Sequence, residues 1–505
     1  MTDTVRALLE TGAAAAPAIG GENRPDMTHE ALGAFADEIV ATLNGFGIGR
    51  GDRVAIVLPN GPEMATAFLT IACGATTAPL NPAYRADEYD FYLSDLNAKA
   101  LVVPDDYDGD ALGVAEKRGI PVLRLSPRSN EAAGLFHLAG EIEGTPANPG
   151  PAEPSDVALV LHTSGTTSRP KIVPLSQANV AASARHIANA IALKAEDRCL
   201  NIMPLFHIHG LIAAVLSSVA AGGSVWCSPG FNALRFFNWV ETAKPTWYTA
   251  VPTMHQAILG RAGRNADVIK AHPFRLIRSS SSSLPPQVMA ELEATFGCPV
   301  IESYGMTEAA HQMASNPLPP AARKPGTVGI AAGPEVGIMD PDGNLLGHGA
   351  TGEVVIKGPN VTAGYENNPK ANAENFTNGW FRTGDQGVLD NEGYLTITGR
   401  LKEIINRGGE KISPREVDEV LMDHPAVAQA VTFAMPHAKL GEEVAAAVVL
   451  REGQAADERA IRDFAAKRLA DFKVPRKVLI MEEIPKGATG KLQRIGLAEK
   501  LGLAG

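Results

Sequence analysis

The segment Leu161-His-Thr-Ser-Gly-Thr-Thr-Ser-Arg-Pro-Lys171 surrounds one glycine with small hydroxyl side chains and ends on a lysine. It follows the apolar run Val157-Ala-Leu-Val-Leu161, which is typical of a buried strand. Backbone N–H groups and hydroxyls in such a loop can converge on one anion, and Lys171 can add a positive charge. This chemistry suits a triphosphate, and the alternative is an ordinary Ser/Thr-rich turn. A Walker-type loop is disfavoured because Pro170 precedes the lysine and Ile172 follows it.

A second segment, Ser303-Tyr-Gly-Met-Thr-Glu308, follows the apolar run Pro299-Val-Ile301. Tyr304 offers a flat ring to a purine, Thr307 a hydroxyl to a phosphate, and Glu308 a hard oxygen ligand to Mg²⁺. The alternative interpretation is a strand end with a buried tyrosine.

Two further segments complete the set of candidate residues. Gly379-Trp-Phe-Arg-Thr-Gly-Asp385 and Gly393-Tyr-Leu-Thr-Ile-Thr-Gly-Arg400 offer a carboxylate for both ribose hydroxyls and an arginine to reinforce that contact. Their alternative is a hairpin with a capping aspartate. Pro485-Lys-Gly-Ala-Thr-Gly-Lys491 presents one lysine on a glycine-hinged loop, and its alternative is a solvated surface lysine.

Alternating strands and helices are predicted to position these segments. Apolar runs such as Val54-Ala-Ile-Val-Leu58 and Ala100-Leu-Val-Val103 lie next to Ala-rich, helix-like stretches such as 63–75. This alternation predicts an α/β fold with parallel sheets covered on both faces. The Pro-rich stretch 145–154 is predicted to connect two such units, and a small α/β domain is predicted beyond Gly399.

Composition excludes several classes of protein. The 505 residues carry a formal net charge of −11, which disfavours a nucleic-acid partner. The four cysteines form no CxxC pair, so neither a disulfide framework nor a zinc site is expected. The first ten residues carry acids where a signal peptide would be apolar, and the longest apolar stretch, 211–221, is too short to span a bilayer. We therefore predict a cytoplasmic protein with no membrane partner.

In order, spacing and flanking sequence, the four segments resemble the adenylate-forming superfamily of acyl-CoA synthetases, peptide-synthetase adenylation domains and luciferases. The resemblance runs from about Asp52 to Arg494. It implies a large N-terminal domain, 1–400, of α/β sheets plus a distorted β-barrel, and a small mobile α+β C-terminal domain, 401–505. It also implies ATP, Mg²⁺ and coenzyme A, an acyl-adenylate intermediate and an acyl-CoA product.

The resemblance carries roles onto matching residues. Catalysis is assigned to Lys491, Lys171, His207, Thr307 and Glu308, of which Glu308 also binds the metal. Nucleotide and CoA binding is assigned to Thr163, Ser164, Gly165, Thr166, Thr167, Ser303, Tyr304, Gly305, Asp385, Arg400, the hinge residue Lys402, Gly408 and Gly409. The chain departs from the family pattern at Ser168 and Ile172, where glycines are usual, so the loop is expected to be stiffer.

The acid is expected beside His209, Thr253, Ser281 and His311. Hydroxyls and imidazoles suit a short acid with a second polar end better than a fatty chain. Several stretches, including Trp247-Tyr-Thr-Ala-Val-Pro-Thr-Met-His255, resemble the oxalate–CoA ligases of plants and fungi, so oxalate is the predicted substrate. We expect a monomer or small homo-oligomer.

Several alternatives remain open at this point. Within the family, the substrate could be malonate, a short fatty acid or an aryl acid. An adenylation module could load a carrier protein instead of free CoA. A non-catalytic protein that kept the fold is disfavoured, since Lys171, Glu308, Asp385, Arg400 and Lys491 are all present.

Overall fold

The computed structural model describes residues 3–163, 170–486 and 492–503. Its strands are, in chain order, β1 (Pro17–Gly20), β2 (Met27–Thr28), β3 (Arg53–Ile56), β4 (Thr76–Pro79), β5 (Ala100–Pro104), β6 (Val122–Pro127), β7 (Phe136–Ala139), β8 (Val157–Thr163), β9 (Lys171–Ser176), β10 (Arg198–Asn201), β11 (Ser224–Cys227), β12 (Trp247–Ala250), β13 (Leu276–Ser279), β14 (Val300–Met306), β15 (His311–Ser315), β16 (Ile330–Ala331), β17 (Glu335–Met339), β18 (Leu345–Leu346), β19 (Thr351–Lys357), β20 (Phe376–Thr377), β21 (Trp380–Leu389), β22 (Leu395–Arg400), β23 (Ile405–Arg407), β24 (Glu410–Ile412), β25 (Val427–His437), β26 (Gly441–Leu450) and β27 (Lys477–Met481).

Helices alternate with many of these strands. The α-helices are α1 (Val5–Leu8), α2 (His29–Gly45), α3 (Pro62–Ile71), α4 (Ala86–Leu96), α5 (Asp110–Arg118), α6 (Gln177–Ala190), α7 (Ser217–Ala220), α8 (Phe236–Ala243), α9 (Pro252–Ala262), α10 (Ala266–Ala271), α11 (Pro286–Phe296), α12 (Pro369–Asn375), α13 (Pro414–Met422), α14 (Glu458–Ala466) and α15 (Leu497–Lys500). A π-helix spans His209–Leu216, and short 3₁₀ turns span Gly263–Asn265, Thr307–Ala309 and Asp471–Lys473.

Two mainly parallel sheets form the first part of the chain. Their strand orders are β16-β15-β14-β13-β12-β10-β11-β1-β2 and β7-β6-β5-β3-β4-β8-β9. The central strands are buried along their whole length, as expected for parallel strands covered on both faces. Helices α3 and α6 contact strands of both sheets, so they lie between them. The predicted α/β class is confirmed.

Two further sheets are mainly antiparallel. One has the order β18-β17-β19-β21-β20, with β22 also on β21, and it occupies the part of the chain for which a distorted barrel was expected. The other has the order β24-β23-β26-β25, with β27 parallel to β26. In the region beyond Gly399, for which a small α/β domain was predicted, the structure has β25, β26 and α14 among its elements. The domain boundary at residue 400 stays a prediction.

The parallel sheet brings several chain segments to one edge. Strands β14, β13, β12 and β10 are consecutive neighbours and run parallel. Their carboxyl ends therefore meet. Tyr304 lies near the end of β14, and the segments that follow β13, β12 and β10 carry Ser281, Thr253 and His209. Ligands of open α/β sheets bind outside this edge.

Specific contacts join the last sheet to the rest of the chain. Arg415, at the start of α13, donates from Nη1 to the backbone oxygen of Ile397 at 2.6 Å and from Nη2 to that of Gly326 at 3.1 Å. Gln256 Nε2 donates to the backbone oxygen of Ala428 at 2.8 Å. One apolar cluster also continues across this junction. These contacts stabilise the orientation seen here.

Across residues 3–163, 170–486 and 492–503, no helix combines the length and the apolar character that crossing a membrane requires.

Candidate active site

The predicted phosphate loop connects the two strands of a hairpin. Strand β8 ends at Thr163, β9 begins at Lys171, and these two residues are paired in antiparallel register. The predicted loop residues Ser164, Gly165, Thr166 and Thr167 lie outside the described residues. The residues that flank the loop therefore lie side by side, and Lys171 is at its C-terminal end.

Lys171 lies against an aromatic ring that the sequence did not single out. Its Nζ is 4.3 Å from the centroid of the Tyr365 ring, within cation–π distance. Burial lowers the pKa of Lys171; the charge of Glu308 opposes this shift, and the charge of Lys402 adds to it. Lys402, the predicted hinge residue, is thus near enough to Lys171 to help lower its pKa.

Glu308 is held in a buried position at the end of β14. Tyr365 Oη donates to Glu308 Oε1 at 2.7 Å, and the Glu308 carbonyl accepts from Thr362 N at 2.8 Å. Burial raises the pKa of Glu308, and the hydrogen bond from Tyr365 opposes that shift. Tyr365 therefore links the predicted metal ligand to Lys171. No spacing in the sequence signals this role, because the contact spans 57 residues of chain.

The ribose candidates are neighbours through strand pairing. Asp385 in β21 is directly opposite Arg400 in β22, and Arg400 Nε lies 3.3 Å from Asp385 Oδ1. The attraction of Asp385 raises the pKa of Arg400. Tyr304 Oη donates to Asp385 Oδ2, which joins the predicted adenine and ribose segments. Ser303 Oγ is 3.1 Å from Ser315 Oγ on the next strand.

The acid candidates form a buried polar pair of imidazoles. His209 and His311 stack with ring centroids 4.9 Å apart, and their exposed fractions are 0% and 1%. His209 Nδ1 is 3.0 Å from Ser281 Oγ, and its Nε2 is 2.7 Å from Thr249 Oγ1. The structure therefore brings together three of the four predicted acid residues. The fourth, Thr253, lies in the first turn of α9.

Unusual backbone conformations orient the side chains of His209, Ser281 and His311. His209 opens the π-helix, a helix type often found at functional sites. Ser281 and His311 have φ angles of 72° and 95°, a region that side chains rarely adopt and that is concentrated at active sites. His207 Nδ1 accepts from His209 N at 3.3 Å, so the predicted catalytic histidine lies next to the pair.

A fully buried arginine lies behind the imidazole pair. Arg278 Nη2 donates to His311 Nε2 at 3.1 Å, and Nη1 donates to Thr249 Oγ1 at 3.3 Å. Sequence reasoning did not single out Arg278. Its burial could not be predicted, since a charged residue in a strand is usually taken as exposed.

The remaining predicted CoA-binding residues lie in the last sheet. Gly408 and Gly409 form the two-residue turn between β23 and β24, with φ angles of 58° and 102°. Glycine suits such a turn because both φ values are positive. Gly408 N donates to the backbone oxygen of Leu440 at 2.9 Å, within the same sheet region.

Lys491 lies outside the described residues, but the chain on both sides of it is fixed. Lys486 and Leu492 form an isolated antiparallel bridge. Arg494 Nη2 donates to the buried carboxylate of Asp418, and its Nη1 lies 3.5 Å from Glu403 Oε2. The loop that carries Lys491 is therefore closed at its base and connected to the predicted hinge.

The donor set suits Mg²⁺ held together with a nucleotide. Among the described residues, no group of three or more His, Cys, Asp or Glu side chains could hold a metal ion. Glu308 offers a single buried carboxylate near Lys171. Mg²⁺ is typically bound by one or two carboxylates plus phosphate oxygens, so Glu308 fits as its protein ligand.

Comparison with known proteins identifies the family. Residues 10–366 match the family described as AMP-binding enzyme, and residues 416–491 match the AMP-binding enzyme C-terminal domain. The chain belongs to the AMP-binding enzyme family. A probable CoA ligase of Humulus lupulus is 47% identical to this AMP-binding enzyme, over 94% of the chain and 91% of that relative. An oxalate–CoA ligase of Arabidopsis thaliana is 44% identical over 98% of each. ATP-bound MatB from Rhodopseudomonas palustris has a TM-score of 0.88 and 29% identity and covers 99% of each chain.

The family confirms the predicted enzyme class. This AMP-binding enzyme is an AMP-forming acid–CoA ligase that uses ATP, Mg²⁺ and coenzyme A. The predicted fold and the predicted cofactors are therefore confirmed. The individual residue roles remain predictions, and the geometry above supports them.

Replacing Tyr365 with phenylalanine is expected to lower kcat about 10-fold and to raise the Mg²⁺ concentration needed for half-maximal activity. The substitution removes the hydrogen bond that orients Glu308 but keeps the ring beneath Lys171. A Mg²⁺ titration of AMP release measures both effects.

Tyr394→Phe is a matched control for this prediction. Tyr394 also lies beneath a lysine, with Lys324 Nζ 4.1 Å from its ring centroid, but its hydroxyl donates to the backbone oxygen of Ala322. We expect Tyr394→Phe to leave the Mg²⁺ dependence unchanged. Equal Mg²⁺ curves for both variants would contradict the role of Tyr365.

Proposed function

We propose that this enzyme converts oxalate, ATP and CoA into oxalyl-CoA, AMP and pyrophosphate. The observation that carries the proposal is the buried pair of His209 and His311, with the hydroxyls of Ser281 and Thr249 beside it. A fatty chain would need an apolar lining, whereas these groups can hydrogen-bond a second polar end. The Arabidopsis relative named oxalate–CoA ligase supports the same substrate.

In the proposed first step, an oxalate oxygen attacks the α-phosphorus of ATP, and the bond to pyrophosphate breaks. The loop ending at Lys171 holds the phosphates, Thr307 contacts one of them, and Lys491 lies between the carboxylate and the α-phosphate. When bound at Glu308, Mg²⁺ offsets charge on the phosphoryl oxygens. These groups bring two anions together in line.

The nucleotide is positioned by the antiparallel sheet and the end of β14. Tyr304, flanked in the sequence by Ser303 and Gly305, packs beside the adenine. Asp385 accepts hydrogen bonds from the ribose hydroxyls, and Arg400 reinforces this contact. The hydrogen bond from Tyr304 to Asp385 fixes the orientation of both side chains before ATP binds. Preorganised groups of this kind lose little entropy when the ligand binds.

Oxalate lies in the polar pocket. His209, Thr253, Ser281 and His311 face the distal carboxylate, and His207 lies beside the reacting one. With oxalate held in this way, only the proximal carboxylate is presented to the α-phosphorus.

In the proposed second step, the CoA sulfur attacks the adenylate carbonyl and AMP leaves. The small domain, 401–505, turns at Lys402, which withdraws Lys491. Gly408 and Gly409 then let the backbone lie close to the pantetheine arm. The contacts of Arg415 with the large domain, 1–400, are broken in this movement.

The test is AMP release in the presence of ATP, Mg²⁺, CoA and one acid from a panel of oxalate, malonate, acetate, hexanoate and cinnamate. We expect turnover with oxalate and an oxalyl-CoA product of the matching mass. Turnover with another acid but not oxalate would overturn the substrate assignment. Acid-dependent ATP–pyrophosphate exchange without a CoA thioester would indicate a carrier-protein acceptor instead.

A further inference from the structure

Arg278 is a buried cation without a carboxylate partner. It lies in β13, its exposed fraction is 0%, and the described side chains that accept its hydrogen bonds are Thr249, His311 and Gln312, none of them a carboxylate. Burial lowers its pKa to about 9, so the guanidinium is still charged at neutral pH. Burying a charge is costly unless it is paired, so a counter-ion is expected at this place.

The protein satisfies this guanidinium only in part. Besides His311 and Thr249, Nη2 donates to Gln312 Oε1 at 3.1 Å, and all three partners are neutral acceptors in this arrangement. Arg278 Nε has no hydrogen-bond partner among the described residues. We expect a ligand to supply the missing negative charge, because His209 and His311, two of the predicted acid-binding residues, stack on each other and contact Thr249 and Arg278.

Arg278 also fixes how His311 faces the pocket. A guanidinium has only donors, so His311 Nε2 must accept from it, and the ring proton is on Nδ1. A Cβ atom placed on Gly305 would lie 3.3 Å from His311 Nδ1. The protonated Nδ1 of His311 therefore lies beside Gly305, in the segment proposed to hold the adenylate. Through Thr249, the same guanidinium also reaches His209.

We propose that Arg278 is a positioning residue that makes the pocket select acids with a second anionic group, by placing a positive charge behind His311 and Thr249. The inference rests on the proposed function, because it assigns the pocket to the acid. It deepens that function by naming the source of the selectivity. A monocarboxylic acid of equal shape would leave this buried charge without a counter-ion.

The test compares oxalate with oxamate, its monoamide, which has the same shape and one anionic group. In Arg278→Gln, kcat/KM for oxalate is expected to fall about 10- to 100-fold, while that for oxamate stays unchanged. The preference for oxalate is therefore lost. Arg278→Lys keeps the charge and is expected to retain most of the preference. If Arg278 had a purely structural role, kcat/KM would fall equally for both substrates, and that result would overturn the inference.

Two further measurements keep the test decisive. Arg323→Gln, at an arginine paired with Glu293, is the matched control and is expected to keep the preference. If Arg278→Gln does not fold, Thr249→Val removes the hydroxyl between Arg278 and His209 and should reduce the preference without changing MgATP binding. An unchanged preference in that variant would overturn the inference.

The outcomes also separate this inference from the proposed function. If the wild-type enzyme uses malonate instead of oxalate, the substrate assignment fails, and the same comparison is made with malonate and malonamate. If the wild type prefers an acid with a single anionic group, both the substrate assignment and the inference about Arg278 fail. If it uses oxalate but the arginine variants keep the preference, only the inference fails.

Discussion

Replacing Lys491 with alanine is expected to lower the rate of adenylate formation by about 10²- to 10³-fold, because one preorganised cation between two reacting anions is lost. The effect should be confined to the first step. The bridge between Lys486 and Leu492 and the ion pairs of Arg494 do not involve the Lys491 side chain. The substitution should therefore leave the small domain folded.

Two assays separate the steps. Oxalate-dependent ATP–pyrophosphate exchange reports the first step, and AMP-dependent release of CoA from oxalyl-CoA reports the second step in reverse. Lys467→Ala, at an exposed lysine of the same domain, is the control and should match the wild type in both assays. An equal loss in both assays would contradict the assignment of Lys491 to adenylation.

The second large effect is expected at Glu308. Glu308→Gln keeps the size of the side chain and removes its charge, so adenylate formation should fall by about 10²- to 10³-fold. Calorimetry should show weaker MgATP binding, whereas binding of ATP without metal should not weaken. The neutral amide would also remove one of the negative charges that oppose the lowering of the Lys171 pKa.

Glu302→Gln is a closely matched control. Glu302 lies on β14, the strand that leads to Glu308, and is also buried, and its Oε1 accepts from Leu284 N at 2.9 Å. Burial raises its pKa to about 7, so part of the population is already neutral at physiological pH. The glutamine should therefore be tolerated there. Equal losses at both positions would show that Glu308 acts through packing and not through its charge.

Much of the nucleotide site was predictable because local sequence determines it. The Ser/Thr-rich connection after the apolar run 157–161 joins the two strands of a hairpin, and Asp385 and Arg400 meet because two strands of one hairpin place them opposite each other. Such residues are close in space wherever their short segments adopt the expected strands. The motif at 303–308 likewise follows a strand directly.

The residues that the sequence did not reveal depend on contacts between distant segments. Tyr365 acts on Glu308 because the loop after β19 returns to the end of β14. Arg278 is buried because β13 lies inside a nine-stranded sheet, between β12 and β14, and an arginine in a strand carries no local sign of that. The π-helix that begins at His209 is also invisible to periodicity, since its turn is only slightly wider than that of an α-helix.

The positive φ angles of Ser281 and His311 bear on how this pocket could evolve. Each angle is costly for a residue with a side chain and nearly free for glycine. A lineage that accepted a larger acid could replace either side chain with glycine, relieving backbone strain while enlarging the cavity. Selection for oxalate and selection for stability therefore act in opposite directions at these two positions, and the narrow specificity persists only while oxalate itself is under selection.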